Sequence, residues 1–269
     1  MHVRCRVASL SHQVSDDCFR VFDTPASSLR FMKLSEGSFA VDIDTAIYTS
    51  AGSEHPEYHA HLAASCALVA FNIATAGYFT WQNHPTLHPI YEVTREPDAA
   101  PIQIALHADH LPTIPLTRTL TDLDVENAVI LFLPLVQDRS LAARTEYVKG
   151  LLHLGASHND TNFYREAFGN FYRCLENCVT QKILKVRGLT NEVAQIKQAL
   201  ATVGADDYLR EAFRQVYAIR SSQVAHAQRE PVELTFNDVL LVKALTDLTM
   251  GKTYRRIAED IRRARAGSA

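Results

Sequence analysis

The segment 161–184, TNFYREAFGNFYRCLENCVTQKIL, has the clearest helical pattern in the sequence and decides how its second half folds. Apolar residues recur in it every three or four positions, which places their side chains on one face of an α-helix. These residues are Phe163, Ala167, Phe171, Leu175 and Cys178. The polar stripe beside them consists of Glu166, Asn170, Arg173 and Asn177. We therefore expect a helix that packs on a core and also borders a cleft.

The helical pattern continues through the rest of the C-terminal half. Helices are predicted at approximately 124–133, 141–154, 161–186, 191–203, 206–224 and 236–263. Gly155, Gly188 and Gly204 fall where three of these helices should end, and glycine is the usual residue just after a helix. We expect residues 123–269 to form an all-α helical bundle.

The N-terminal part of the sequence has a different pattern, in which strand-like segments alternate with turn-forming residues. The strand-like segments are VRCRVASL, CFRVFD, SFAVDIDTAIYT, PIYEVTRE and PIQIALHA. Between them, the alanine-rich stretch 55–79 has Pro56 near its start and predicts a buried helix lying on a small sheet. The predicted fold class is therefore α+β, with a sheet-and-helix domain at 1–122 followed by the helical domain at 123–269.

Charge and cysteine content argue against several classes of function. The chain has 269 residues and a formal net charge of -3. DNA is not a predicted partner, because proteins that neutralise many phosphates usually carry a basic domain, and any RNA contact would have to be local. The five cysteines are odd in number, scattered and without a CxxC pair, so neither a disulfide framework nor a zinc knuckle is indicated. We expect a reducing, cytoplasmic location.

Neither export nor membrane insertion is expected from the hydropathy pattern. The first residues of the sequence contain no long apolar stretch. The longest apolar run, NAVILFLPLV at 127–136, is too short to span a bilayer and contains Pro134.

A second helix, predicted within DDYLREAFRQVYAIR at 206–220, places an arginine in line with core positions. Its apolar stripe consists of Leu209, Phe213 and Val216, and the next step along that stripe is Arg220. A guanidinium in such a position needs hydrogen-bonded partners or a wet groove, because burying an unpaired charge is costly. Arg220 is therefore a candidate functional residue.

The segment YAIRSSQVAHA at 217–227 adds a hydroxyl at Ser221 and an imidazole at His226 to this arginine. An arginine, a polar residue and then a histidine, late in an all-α domain, resembles the hallmark of the helical HEPN domains. FYREAFGNFYRCLENCV, at 163–179, resembles the long first helix of the Apea-like HEPN branch. The whole chain is similar to J-type methylamine-utilisation proteins that carry such a domain, and the resemblance covers residues 146–261.

The resemblance implies a metal-independent endoribonuclease that acts on RNA as a homodimer and needs no cofactor. In this chemistry the RNA 2′-hydroxyl attacks the neighbouring phosphate, His226 transfers protons and Arg220 holds the phosphate oxygens, with Ser221 in the same catalytic motif. Six steps of about 100° along a regular α-helix leave Arg220 and His226 about 120° apart. That offset favours either a helix break near Val224 or a site built between two copies of the chain.

A non-catalytic interpretation is open beside this one. Arg220 can be a structural residue held by carboxylates, and His226 can simply end a helix, where a cation suits the carbonyl dipoles. The candidate carboxylates are Glu166, Glu176 and Asp247. Ser221 and Ser222 can bond back to the preceding turn. The helical domain would then serve as a dimerisation or ligand-sensing module.

Histidines in the N-terminal half suggest a third interpretation, a metal site in an accessory protein of amine metabolism. Seven of the twelve histidines fall in the short segments HPEYHAH, HPTLH and HADH. The candidate ligands are His55, His59, His61, His84, His88, His107, Asp109 and His110. We expect no bound metal, because the HExxH motif is absent and histidines beside proline are common turn residues. GxSxG and phosphate-binding glycine loops are absent as well.

The aromatic segment YFTWQ at 78–82 has two interpretations. Its rings can stack on a base or another ligand, or they can end a helix inside the core, which is the commoner arrangement.

Overall fold

The computed structural model shows an α+β fold, as the sequence predicts. A small antiparallel sheet with one helix comes first, and helices follow. The structure describes residues 2–15, 20–24, 27–35, 37–45, 56–81, 90–94, 102–105, 118–138, 142–155, 157, 163–224 and 233–266.

The main sheet has seven strands, and every neighbouring pair in it is antiparallel. Its members are β1 (His2–Ser9), β3 (Arg20–Thr24), β4 (Ser27–Ser35), β5 (Ser38–Thr45), β6 (Phe79–Trp81), β7 (Ile90–Thr94) and β8 (Ile102–Ala105). The strand order is β3-β4-β5-β1-β7-β8, with β6 pairing with β1 beyond the end of β7. A separate parallel pair joins β2 (His12–Val14) to β9 (Arg118–Leu120).

One face of this sheet is buried because apolar residues alternate along its central strands. Val3, Cys5 and Val7 of β1 have no exposed surface, and Val7 lies opposite Phe39 of β5. Helix α1 (Pro56–Thr75) covers this face, with the Phe71 ring centroid 4.8 Å from that of Phe39. The alternation in β1 and the apolar length of α1 thus produce the predicted helix on a sheet.

Helix α2 (Asp122–Gln137) belongs to the same compact unit as the sheet. It packs on α1, and the chain divides into units at 1–137 and 138–269. The observed division therefore lies later than the predicted boundary at 122, because the apolar face of α2 is used by the first unit. The helix also continues through Pro134, whereas the sequence predicts an end at residue 133.

The second unit contains five α-helices among its described residues. They are α3 (Ala142–Gly155), α4 (Tyr164–Cys178), α5 (Glu192–Thr202), α6 (Asp207–Ile219) and α7 (Phe236–Ala266). Two of them run directly into π-helical segments, Val179–Leu184 after α4 and Arg220–Val224 after α6. The predicted helical character of the C-terminal part is confirmed for the described residues, although the sequence contains no sign of the π-helical geometry.

Side chains at the helix starts explain why these helices begin where they do. Asp206 accepts a hydrogen bond from the Leu209 backbone N–H at 2.8 Å, and Asn191 caps α5 in the same way. At α7, Thr235 and Asp238 each accept a bond from the other's backbone N–H, which forms a capping box. The caps fix where these helices begin. The apolar stripes of α5, α6 and α7 determine which of their faces are buried.

Within the described residues, no helix is long and apolar enough to cross a membrane.

Candidate active site

Arg220 is positioned by the burial of the turns that precede it in α6. Leu209, Phe213 and Val216 are buried along one face of this helix, and Arg220 follows on the same stripe. Its side chain is 27% exposed. The guanidinium therefore lies at the edge of the core and is reachable from solvent.

Three side chains from two other helical segments surround this guanidinium. Arg220 Nη1 donates to Glu192 Oε2 at 3.0 Å, and Nη2 is 3.7 Å from Glu176 Oε1. The guanidinium carbon lies 4.8 Å from the ring centroid of Tyr172, a cation–π arrangement. We call Arg220, Tyr172, Glu176 and Glu192 the Arg220 cluster.

Glu192 is the central acceptor of the Arg220 cluster. One carboxylate oxygen accepts from Arg220, and the other accepts from the Tyr172 hydroxyl at 2.6 Å. Burial, followed by this bond to Glu192, raises the pKa of Tyr172 well above its ordinary value. Tyr172 therefore acts as a neutral donor and a packing surface, not as a proton acceptor.

Glu176 is the group in the cluster that titrates near neutral pH. Burial, a hydrogen bond with Glu192 and the charge of Glu192 raise its pKa to about 7, although Arg220 and Arg173 oppose the shift. Two carboxyl groups this close favour sharing one proton. At pH 7 the cluster thus contains a carboxyl that can both give and accept a proton.

Ser221 and Ser222 differ from each other in what the structure shows. The Ser222 hydroxyl donates to the Ala218 carbonyl oxygen at 2.7 Å, the bond to the preceding turn that serines commonly make near a helix end. Ser221 lies in the π-helical segment and is half-buried. His226 falls in 225–232, outside the described residues, so its distance from Arg220 stays a prediction.

The predicted angle between Arg220 and His226 assumed a regular α-helix, and that assumption is wrong. The α-helix ends at Ile219, and Arg220 opens the π-helical segment that runs to Val224. A π-helix bonds residue i to i+5 and turns less per residue, so the α-helical geometry behind the offset of about 120° does not hold across 220–224, and the position of His226 itself is not described. π-Helical turns are found frequently at functional sites, and this supports Arg220 as a candidate functional residue.

Of the three carboxylates predicted as partners of Arg220, the structure places one beside it. Glu176 is near the guanidinium, whereas Glu166 is exposed in the first turn of α4. Asp247 instead bonds to Lys243 Nζ at 2.7 Å and to the Tyr147 hydroxyl, deep in the core. The sequence therefore correctly predicts that carboxylates pair with Arg220, and of the three candidates Glu176 is the one that does so.

The polar stripe of α4 is partly packed against α3 instead of facing a cleft along its length. Asn170 is buried, and its Nδ2 lies 2.7 Å from His153 Nδ1 of α3. Arg173 donates to Glu146 Oε2 of α3 at 2.8 Å. The α4 residues that reach Arg220 are Tyr172 and Glu176, which lie beside this stripe.

Tyr172 and Glu192 are the members of the cluster that sequence reasoning missed. Tyr172 directly follows the apolar Phe171, so its hydroxyl looked like part of a core ring. Glu192 lies 28 residues from Arg220, at the start of a short helix, and no local spacing links the two. The only available signal for Glu192 was its place next to the capping residue Asn191.

Two of the candidate metal ligands of the N-terminal half, His59 and His61, lie among the described residues. His61 Nε2 is 3.4 Å from the Ser65 hydroxyl, and its ring lies near Trp81. No group of three histidine, cysteine or acidic side chains with metal-binding geometry occurs in the described part of the chain. Apart from His59 and His61, every candidate ligand lies outside that part.

Within the aromatic segment, Phe79–Trp81 form strand β6 where the sequence suggested a helix end, and Gln82 lies outside the described residues. Phe79 and Trp81 belong to β6, and both are buried together with Tyr78. The rings therefore pack inside the first unit and offer no surface on which a base could stack.

Comparisons with known proteins leave the family of this chain open, since no protein-family model, no curated protein and no solved structure matches it. The chemistry of the Arg220 cluster is therefore the main support for a functional proposal.

Proposed function

We propose that this protein is a metal-independent, HEPN-type endoribonuclease that binds RNA and cleaves it through attack of the 2′-hydroxyl. The observation that carries the proposal is the pairing of a solvent-reachable arginine with a carboxyl group whose pKa is about 7. Perturbed titrating groups beside a cation are more common at catalytic sites than elsewhere.

Arg220 has donors to offer a phosphate in spite of its carboxylate neighbours. Of its two terminal nitrogens, Nη1 is bonded to Glu192, whereas Nη2 is 3.7 Å from Glu176, beyond hydrogen-bond length. A guanidinium has five N–H donors in a planar fork, and a phosphate can be gripped by two of them. Glu192 and Tyr172 would hold the fork in place while its free edge faces the RNA backbone.

The charge of Glu176 would control how strongly a phosphate binds beside Arg220. When Glu176 is protonated, the positive charge of Arg220 faces the single carboxylate of Glu192, and an added phosphate meets no second acid. When Glu176 is ionised, two carboxylates compete for the guanidinium. RNA binding should therefore weaken as the pH rises through about 7, the pKa of Glu176.

The proton transfers of the reaction need one base and one acid near this phosphate. We assign them to His226, with Ser221 as a neighbouring donor, following the resemblance of the RSSQVAH segment to the HEPN motif. Glu176 is the second titrating group at the site and can exchange a proton near neutral pH. None of these steps requires a metal ion.

Assembly and location are part of the same proposal. We propose a homodimer, because the HEPN resemblance implies a site shared by paired motifs. A reducing compartment such as the cytoplasm is supported by the cysteines, since Cys5, Cys66, Cys174 and Cys178 are buried thiols that form no disulfide.

The second candidate function is a non-catalytic dimerisation or ligand-sensing module. It is favoured by the contacts of Arg220 with Glu192 and Tyr172, which are also what a purely structural arginine would make. The two candidates differ in one respect, since a structural arginine has no need for a proton-transferring partner at His226.

Cleavage of a pooled RNA in EDTA by the wild type and by His226→Ala tests the proposal. The wild type should produce fragments ending in 2′,3′-cyclic phosphate, and His226→Ala should lose cleavage while keeping its far-ultraviolet circular dichroism and its melting temperature. Equal cleavage by His226→Ala, or products with other ends, would falsify the assignment. A wild type that binds RNA but never cuts it would support the non-catalytic module.

A further inference from the structure

A second concave site lies in the helical unit, among residues that are not part of the Arg220 cluster. It is a cavity of about 310 Å³ between the π-helical segment Val179–Leu184, the end of α5 and the middle of α7. This volume is at the lower end of the range of about 300–1,000 Å³ that is usual for small-molecule sites. The cavity is therefore large enough for a small metabolite.

The charged residues of the cavity are mostly cationic. Lys182, Lys185 and Arg256 line it, and Asp260 is the one carboxylate among the lining residues. A concave site with an excess of one sign of charge concentrates ligands of the opposite sign. The cavity therefore favours an anion.

The three cations differ in whether a carboxylate of the described residues neutralises them. Lys182 is bonded to the Asp138 carboxylate, which also accepts from the Tyr254 hydroxyl at 2.5 Å, so its charge is compensated within the fold. Among the residues that the structure describes, no carboxylate lies within ion-pair distance of Lys185 or Arg256. Their two charges are the ones available to a ligand.

Lys185 ends the π-helical segment in a left-handed backbone conformation. Lys185 has φ 55° and lies in the left-handed region, just after the π-helical segment. A left-handed residue commonly ends a helix, and glycine or asparagine accepts this conformation more easily than lysine does. The chain thus keeps a lysine at a position where its backbone would prefer glycine.

The remaining lining is partly apolar, with Ile183, Val203 and Ile257 beside the cations and the hydroxyls of Thr202 and Thr253. A bare inorganic ion would leave these aliphatic side chains without a contact. A ligand with a charged head and a short organic body would use both parts of the lining.

We propose that this cavity binds a small phosphomonoester, with its phosphate held by Lys185 and the Arg256 guanidinium and its organic part against Ile183 and Ile257. A guanidinium binds two phosphate oxygens in its planar fork, and an ammonium adds a point charge. A volume of about 310 Å³ suits a metabolite better than a polynucleotide backbone, which is bound along an extended groove. The site and its occupant are independent of catalysis at Arg220.

Calorimetry with inorganic phosphate and with a 5′-mononucleotide, at constant ionic strength, tests the proposal on the full chain. Both probes should bind, the mononucleotide more tightly, and Arg256→Gln and Lys185→Asn should each weaken binding by about tenfold or more. Asparagine accepts the left-handed conformation, so Lys185→Asn removes the charge without adding backbone strain. Arg255→Gln removes the neighbouring exposed cation of α7, which does not line the cavity, and should bind like the wild type.

Three results would overturn the inference. The first is the absence of heat and of thermal stabilisation with either probe at millimolar concentration. The second is equal weakening by Arg255→Gln, which would mean that only the general charge of the surface matters. The third is displacement by an oligoribonucleotide with no binding of the mononucleotide, which would assign the surface to RNA. Melting temperatures of the variants show whether each is folded.

Discussion

At the scale of single residues, two of the charged groups in the second unit differ in their exposure to water. In the Arg220 cluster the side chains of Arg220, Glu176 and Glu192 are 20–27% exposed, so protons and ligands can reach them. Lys243 and Asp247 are at most 2% exposed and are closed off by the Tyr147 hydroxyl. The first group can take part in chemistry, whereas the second one determines stability.

The raised pKa of Glu176 predicts a specific dependence of stability on pH. Its pKa increases from 4.5 to about 7 on folding, so between these values the native state binds more protons than the unfolded chain. The stability of the wild type therefore falls as the pH rises from about 4.5 to about 7, and the loss is complete above that window. Glu176→Gln has no proton to lose there and should avoid the loss.

Urea unfolding at pH 5 and pH 8 measures this difference. Relative to the wild type, Glu176→Gln should gain up to about 3 kcal/mol more at pH 8 than at pH 5, the equivalent of the shift in pKa. For Glu211→Gln, an exposed position on α6, the difference in stability from the wild type should be nearly the same at the two pH values. A Glu176→Gln profile parallel to the wild type would mean that Glu176 titrates normally.

The buried pair in α7 predicts a large cost when one partner is removed. Burial lowers the pKa of Lys243 and raises that of Asp247, and the charge of each partner opposes the shift in the other. Lys243→Met leaves Asp247 and its charge in the core and should cost about 3–5 kcal/mol. Lys243→Met with Asp247→Asn should recover much of this cost, because the asparagine oxygen still accepts from the Tyr147 hydroxyl.

A second pair at the same spacing in the same helix provides the control. Glu259 and Arg263 are also four residues apart in α7, but both are exposed. Arg263→Gln should change the free energy of unfolding by less than about 1 kcal/mol. If chemical denaturation gives similar costs for Lys243→Met and Arg263→Gln, the buried pair is not held as described.

At the scale of the elements, the helices were easier to predict from the sequence than the strands. The apolar stripes of α4 and α6 repeat over several turns, so their existence follows from the pattern alone. The strand β4 was missed because its first residues, Ser27 and Ser28, follow Pro25 and look like a turn. The π-helical segments could not be predicted, since one wider turn hardly alters the repeat of apolar residues.

In the candidate site as well, the residues that could be predicted are those marked by a local sequence pattern. Arg220 could be singled out because it continues the apolar stripe of its own helix. Glu176 was among its expected partners because it lies on a recognisable helix. Glu192 could not be chosen, since the turn between α4 and α5 that brings it to Arg220 is a property of the folded chain.

The packing of α3 on α4 predicts that replacing Gly150 with a larger residue lowers the stability of the protein. A Cβ at Gly150 would lie 2.9 Å from the ring of Phe171, a fully buried side chain. Gly150→Ala should therefore destabilise the protein by about 1–3 kcal/mol, even though alanine is the better helix former. Gly188→Ala meets nothing within 4 Å and should be close to neutral in the same thermal unfolding experiment.

At the scale of the whole molecule, the two compact units predict where the chain can be divided. All four members of the Arg220 cluster lie in 138–269, and α2 is packed on α1 in the other unit. A fragment of 138–269 should fold cooperatively and stay dispersed. A fragment of 123–269 carries α2 without its partner and should expose Val125, Leu131 and Leu135, so that it aggregates.

Size-exclusion chromatography and thermal unfolding of the two fragments check this division. If the fragment 123–269 is folded and does not aggregate while the fragment 138–269 is unfolded, the boundary lies near 122 and α2 belongs to the helical unit.

The rate of RNA cleavage in EDTA by Arg220→Lys, measured beside the wild type and Arg214→Lys, tests the central claim most directly. Lysine keeps the positive charge but cannot offer a planar pair of donors to a phosphate, so Arg220→Lys should lose about 100-fold or more in rate. Arg214, exposed on the same helix and paired only with Glu211 in the contacts described, should tolerate the same change. A wild type that cleaves no RNA under these conditions, or an Arg220→Lys variant as fast as Arg214→Lys, would contradict the assignment of Arg220 to the phosphate.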